Sequence, residues 1–238
     1  MSEIENRERQ IEAIRMEFFS RPVPDDYEEA RYCLETGQEP YSNYFLGLWY
    51  HGGGHKSGLY TESDLKDAED STPDEFVDSK RKFLKDLFSG RDVFDLGSGN
   101  SSLKTRRALP VLSEKLEMKR YIGIDLYHKN KNIEVENEPV QKIWLEGDML
   151  TRVASIEKLN NPTVFVLSGI DPKFGSSLEF IDDYFTKLAN EIWRLCNSGD
   201  KVVITEDIIG NMWVKFFTEV GFELSESEQS GVFVLIKY

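Results

Sequence analysis

Apolar residues beyond position 90 concentrate in short runs separated by longer amphipathic stretches. The runs lie near 92–96, 120–125, 142–146, 163–167 and 201–205, the purest being Thr163-Val-Phe-Val-Leu167 and Lys201-Val-Val-Ile-Thr205. A continuous run of that length suits a strand buried on both faces of a parallel sheet. The stretches between them carry helical spacing. One near 176–196 places Phe180, Ile181, Phe185, Leu188, Ile192 and Leu195 on one side. Others are expected near 102–117, 151–160 and 212–220, the last capped by Gly221. The crossover near 130–138 is short and Asn-rich. Residues 222–225 and 232–237 read as a hairpin-like pair around a polar turn. Strands alternating with helices predict an α/β fold, a Rossmann-like doubly wound sheet of seven strands.

The first 74 residues follow another pattern. Residues 2–20 form a charged amphipathic helix with Ile4, Ile11, Ile14, Met16 and Phe18 as its apolar positions, ended by Pro22 and Pro24. A second helix over 25–35 is closed by Gly37 and Pro40. An aromatic run over 41–50 leads into His51-Gly-Gly-Gly-His55. The acidic segment 61–74 reads as a loop, and a helix opens at Pro73 and runs to Leu87, with Gly90 behind it. The expected organisation is therefore a helical N-terminal extension, 1–74, followed by one domain, 75–238. A chain of 238 residues with 39% hydrophobic content buries one substantial core.

The candidate chemistry begins where the first strand ends, in Asp95-Leu-Gly-Ser-Gly99. Two glycines at that spacing let the chain turn out of a strand and bring its backbone close to a ligand. A helix starting near Ser101 or Ser102 would aim its positive end at the same place. A dinucleotide site would require a third glycine where Ser102 stands. Asp95 also opposes a pyrophosphate, since like charges 4 Å apart cost about 4 kcal/mol at an effective dielectric of 20. S-adenosylmethionine (SAM) carries an ammonium and a sulfonium beside one carboxylate, and suits an acid paired with a helix N-terminus. The second strand ends in Asp125, where a Rossmann unit holds ribose hydroxyls. The third ends in Gly147-Asp148-Met149, which offers Asp148 to an adenine amino group and Met149 to the ring face. For each acid the competing reading is a loop residue or a helix N-cap.

Over residues 75–238 this sequence resembles class I SAM-dependent methyltransferases. Leu96-Gly-Ser-Gly99, with Lys104-Thr-Arg106 following, is similar to the first motif of the histidine-specific family of the ergothioneine-pathway type. The resemblance implies that Gly97, Ser98 and Gly99 line the methionine part of SAM, with Lys104 near its carboxylate. It also implies that the closing pair supplies the antiparallel last strand of the sheet. Two features depart from the family. Ser168-Gly-Ile-Asp-Pro172 replaces its G-S-x-x-G-N signature, and only a few residues separate Glu206 from the next helix, where the family inserts a substrate domain. Histidine as acceptor does not carry over.

Methyl transfer needs alignment more than covalent help. Candidate acceptor contacts are Asp171 after the fourth strand and Glu206 after the fifth. Asp171 equally suits a turn with Pro172, whereas Glu206, with Asp207, suits a polar loop at the open end of the sheet somewhat better. Tyr50, His51 and Tyr60 are expected either on a glycine-hinged lid or, for the aromatics, in the core. His51 and His55 flank three glycines that oppose a helical chelate, so no metal is expected. The 43 acids against 29 bases, a formal charge of −14, argue against a nucleic-acid partner. Cys33 and Cys196 make no disulfide framework. With no signal-like or membrane-length apolar run, the chain is expected to be soluble and cytoplasmic. The resulting expectation is a SAM-dependent methyltransferase for a small molecule, such as an amine or amino acid. Its competitors are a protein methyltransferase and a SAM-binding regulatory module without transfer activity.

Overall fold

The computed structural model describes residues 41–42, 44–53, 62–70, 74–98, 106–125, 133–135, 139–168, 178–205, 210–225 and 232–238. In chain order the elements are β1 (Tyr41–Ser42), α1 (Tyr44–His51), α2 (Glu62–Asp70), α3 (Glu75–Phe88), β2 (Asp92–Leu96), β3 (Arg106–Arg107), α4 (Ala108–Leu112), β4 (Arg120–Asp125), β5 (Ile133–Val135), β6 (Gln141–Glu146), α5 (Met149–Ala154), β7 (Thr163–Leu167), α6 (Leu178–Leu195), β8 (Lys201–Thr205), α7 (Gly210–Glu219), β9 (Glu223–Leu224) and β10 (Val232–Ile236). The helices expected over 2–20 and 25–35 lie outside the described residues.

The main sheet has the order β5-β6-β4-β2-β7-β8-β10-β9. Strands β6, β4, β2, β7 and β8 run parallel, and β10 runs antiparallel to both β8 and β9. All seven expected strands are present, including the antiparallel one. Strand β5 adds an eighth at the edge, antiparallel to β6, inside the Asn-rich crossover. Strand β2, the first of the main sheet in sequence, sits at its centre. The chain winds one way to β4 and β6 and the other way to β7 and β8, so a switch point opens at the carboxyl end of β2.

Side-chain alternation sorts the strands into two cores. Val93, Tyr121, Val164, Val166, Val203 and Val234 face one layer, packed against α1, α2, α3 and α4. Phe94, Ile122, Ile124, Phe165, Leu167 and Ile204 face the other, packed against α5, α6 and α7. Every residue of β2 and β7 is buried, as the apolar run of β7 requires; in β2 the burial takes in two acids, Asp92 and Asp95. Phe185, Leu188, Ala189, Ile192 and Leu195 form the buried stripe of α6.

Three segments differ from the sequence expectation. The acidic stretch after position 61 contains helix α2, held because Leu65 is buried and Ala68 packs on the same core. Charge made that stretch look like a loop, yet Lys, Ala and Glu are good helix formers. The helix expected from about 102 begins only at Ala108, because Arg106–Arg107 is extended and pairs with Tyr41–Ser42. Pro110 gives the reason. In a helix from 102 it would break an interior hydrogen bond, whereas in the first turn its missing N–H costs nothing. The helix expected over 151–160 is Met149–Ala154, with Asp148 as its N-cap.

Candidate functional site

The turn after β2 is pinned to its neighbour. The N–H groups of Gly97 and Ser98 both donate to the carbonyl of Ile124, at 2.8 and 3.2 Å. Gly97 has φ +73°, a conformation that an L side chain rarely adopts. Ser98 is buried and lies directly over Gly123. A Cβ on Gly123 would sit 2.8 Å from the Ser98 hydroxyl and 3.0 Å from the Trp144 ring. Sequence reasoning did not single out Gly123, although a glycine inside a buried strand signals close approach.

Asp95 is only 1% exposed. The Tyr121 hydroxyl donates to its Oδ2 at 2.8 Å, a contact spanning 26 residues of sequence. Register then locates the second acid. Asp95 pairs with Gly123 across β2 and β4, so Asp125, two residues further along β4, points to the same face of the sheet. Strand spacing puts the two Cα atoms roughly 8 Å apart on the diagonal. Asp125 is half-buried, and its carbonyl accepts from the Gly147 N–H at 2.9 Å. Across β4 and β6 its partner is Glu146, which brings Asp148 to the same rim.

Asp148 is a helix N-cap in this structure. Its Oδ2 accepts from the Thr151 N–H at 2.8 Å and from the Thr151 hydroxyl at 2.7 Å. The Tyr184 hydroxyl of α6 donates to its Oδ1 and itself accepts from the Leu150 N–H at 3.2 Å. Met149, beside it, is partly exposed and packs at the margin of the second core. Further along the rim, the Thr205 hydroxyl donates to the Ser168 hydroxyl at 3.0 Å, tying the ends of β8 and β7 together.

The opposite end of the sheet carries acids of another kind. Asp92 accepts from the Arg120 guanidinium and from Asn161, and Asp200 accepts from the N–H groups of Thr163 and Asn197. These close the amino ends of strands. The buried Cys196 thiol, which desolvation pushes above its ordinary pKa, is likewise a core group.

The structure brings Asp95, Gly97, Ser98, Asp125, Asp148 and Met149 to one rim. It does not bring Tyr50 there. Tyr50 is 6% exposed in the first core, its hydroxyl donating to Glu69 at 3.4 Å. Burial pushes its phenol above the ordinary value, which makes it a poor base at neutral pH. The core option for the aromatic run prevails over the lid, because α1 supplies fully buried Phe45, Leu46 and Leu48. His51 is exposed at the end of that helix. Gly99, Lys104, Asp171, Glu206, His55, Tyr60, His128 and Cys33 lie outside the described residues. Among the described residues no cluster of three metal-ligating side chains occurs, and no helix is long and apolar enough to cross a membrane.

No family model matches the chain, and no curated protein matches it. It is similar to several solved structures. One is a TehB-like SAM-dependent methyltransferase from Corynebacterium glutamicum, at 16% identity over 66% of this chain and 87% of that one, TM-score 0.40. Another is the N-methyltransferase NodS from Bradyrhizobium japonicum, at 13% identity over 66% and 93%, TM-score 0.40. A third is human N-acetylserotonin methyltransferase in complex with SAM, at 14% identity over 66% and 51%, TM-score 0.41. Overlaps this loose bear on neither cofactor nor acceptor; the residues of the site have to argue both.

Proposed function

We propose that the chain is a SAM-dependent methyltransferase whose acceptor is a small molecule, with amines and amino acids as the favoured class. The observation that carries this reading is the register of β2 and β4. It sets Asp95 and Asp125 on one face, a diagonal step apart, beside a turn whose N–H groups are locked onto Ile124. Gly123 supports the reading by leaving room for the Ser98 turn where a Cβ would intrude. In this reading Asp125 takes the ribose hydroxyls, Asp148 the adenine amino group and Met149 the ring. Gly97, Ser98 and Gly99 line the methionine portion, with Lys104 near its carboxylate. Asp95 acts from within the core, where a carboxylate attracts an ammonium more strongly than in solvent.

SAM supplies a methyl group on a sulfonium that already leaves readily, so the chain's work is to bind, orient and exclude water. Asp171 and Glu206 follow the ends of β7 and β8, and are the proposed contacts for a cationic or protonated acceptor. The Ser168–Thr205 pair braces the strand ends from which both depart.

Calorimetric titration with S-adenosylhomocysteine tests the reading. One-to-one binding is expected, and Asp125→Ala should weaken it by about tenfold or more, the worth of a hydrogen bond to a charged group. A well-folded sample that takes up no ligand ends the proposal. Methyl incorporation into basic proteins but not into amines or amino acids would overturn the acceptor class alone.

A further inference from the structure

The rim contains a connection that the cofactor reading does not use. Asp148 is held from two sides by hydroxyl groups from different helices. Thr151 of α5 donates both its N–H and its hydroxyl to Oδ2, while Tyr184 of α6 donates to Oδ1. The Tyr184 oxygen in turn accepts from the Leu150 N–H at 3.2 Å, so the phenol is fixed at both its donor and its acceptor side. Its ring sits edge-on to Phe185 at 5.1 Å, and Phe185 belongs to the buried core beneath α6. The Tyr184 side chain is thus anchored by packing and points its single donor at one carboxylate oxygen. N-capping alone requires only the Thr151 N–H.

From this geometry we infer that Tyr184 and Thr151 are positioning residues that orient Asp148 as an acceptor for the exocyclic amine of the cofactor's base, making the site selective for an aminopurine over an oxopurine. An ionised carboxylate accepts hydrogen bonds and cannot donate. Donors converging from two helices fix its plane, so a further donor must approach the carboxylate in one orientation. A 6-amino group supplies the N–H such an acceptor requires. A 6-oxo group turns a carbonyl toward it and meets like polarity. A site built around a hydrogen bond discriminates against the analogue that lacks it more strongly than a merely shaped pocket does. The inference rests on the SAM reading and deepens it, adding a determinant 36 residues away on another helix.

The experiment compares binding of S-adenosylhomocysteine with that of S-inosylhomocysteine, in which oxygen replaces the 6-amino group, by calorimetry on the full chain. The wild type is expected to favour the adenosyl ligand by about 10- to 100-fold. Tyr184→Phe keeps the ring packing and Thr151→Val keeps the shape. Each should cut that ratio about fivefold or more, chiefly through weaker adenosyl binding. In an Asp148→Asn background the same substitutions should leave the ratio unchanged, because both act through that carboxylate. Folded variants whose ratio stays within twofold of wild type overturn the inference, as does a wild type that binds the two ligands equally. Should one variant lose its thermal transition, the other still decides. A wild type that binds neither ligand fails the parent reading instead, so the two failures are distinguishable.

Discussion

Three residues apart on one strand, Asp92 and Asp95 have opposite surroundings. Both are 1% exposed. Asp92 is neutralised by Arg120 at the amino end of the sheet, with Asn161 as an added donor. Asp95, at the carboxyl end, accepts from the Tyr121 hydroxyl. Residue type alone does not separate a structural acid from a proposed site acid; position along a parallel strand is the ground for the proposal, since backbone turns and ligands gather at carboxyl ends. Gly123 is the other residue on which the rim depends. Gly123→Ala must displace both Ser98 and Trp144. The expected outcome is a loss of about 1–3 kcal/mol in urea denaturation together with weaker S-adenosylhomocysteine binding. Wild-type affinity in this variant would show that the Ser98 turn is not part of the ligand cradle.

At the scale of elements, strands were legible and helix limits were not. Runs such as 163–167 declare themselves because a strand covered on both faces has no polar positions to spare. Helix α2 carries too many charges for its apolar stripe to stand out, and its anchorage is tertiary. Leu65 enters the core, and Glu69 meets Lys115 and the Tyr50 hydroxyl. The Lys115 hydrogen bond leads the causes that hold the Glu69 carboxyl below its ordinary 4.5. A carboxyl lowered in the folded state adds stability above its ordinary value and loses it as pH falls through the lowered one. Glu69→Gln should therefore flatten the decline in thermal midpoint below about pH 4.5, by a small amount because the pair is near solvent. A decline identical to wild type would mean that the pair contributes nothing to α2 docking.

On the scale of the whole molecule, the described part of the N-terminal segment is not an appendage. Phe45, Leu46 and Leu48 are fully buried among Leu84, Phe88 and Val93, and Phe45 meets the Phe88 ring edge-on at 5.7 Å. A lid residue could be truncated cheaply, whereas a core phenylalanine cannot. Phe45→Ala should cost about 3–5 kcal/mol in urea denaturation. A cost under about 1 kcal/mol would return the aromatic run to the surface. Strand β1 also pairs with β3, so residues before position 50 are tied to the segment that follows the glycine turn.

What the sequence alone determined was the α/β alternation, the seven strands and the acids closing the first three of them. Strand burial and the glycine turn leave marks within a few neighbouring residues, and those marks can be read without coordinates. What tertiary structure decided was everything made between distant segments. It ordered the strands about β2 and added β5 at the edge. It buried the aromatic run, aimed Tyr121 at Asp95 and set Tyr184 against Asp148. None of these contacts has a period or a local signal, because each is the outcome of which surfaces the packed sheet brings within a few ångströms of one another.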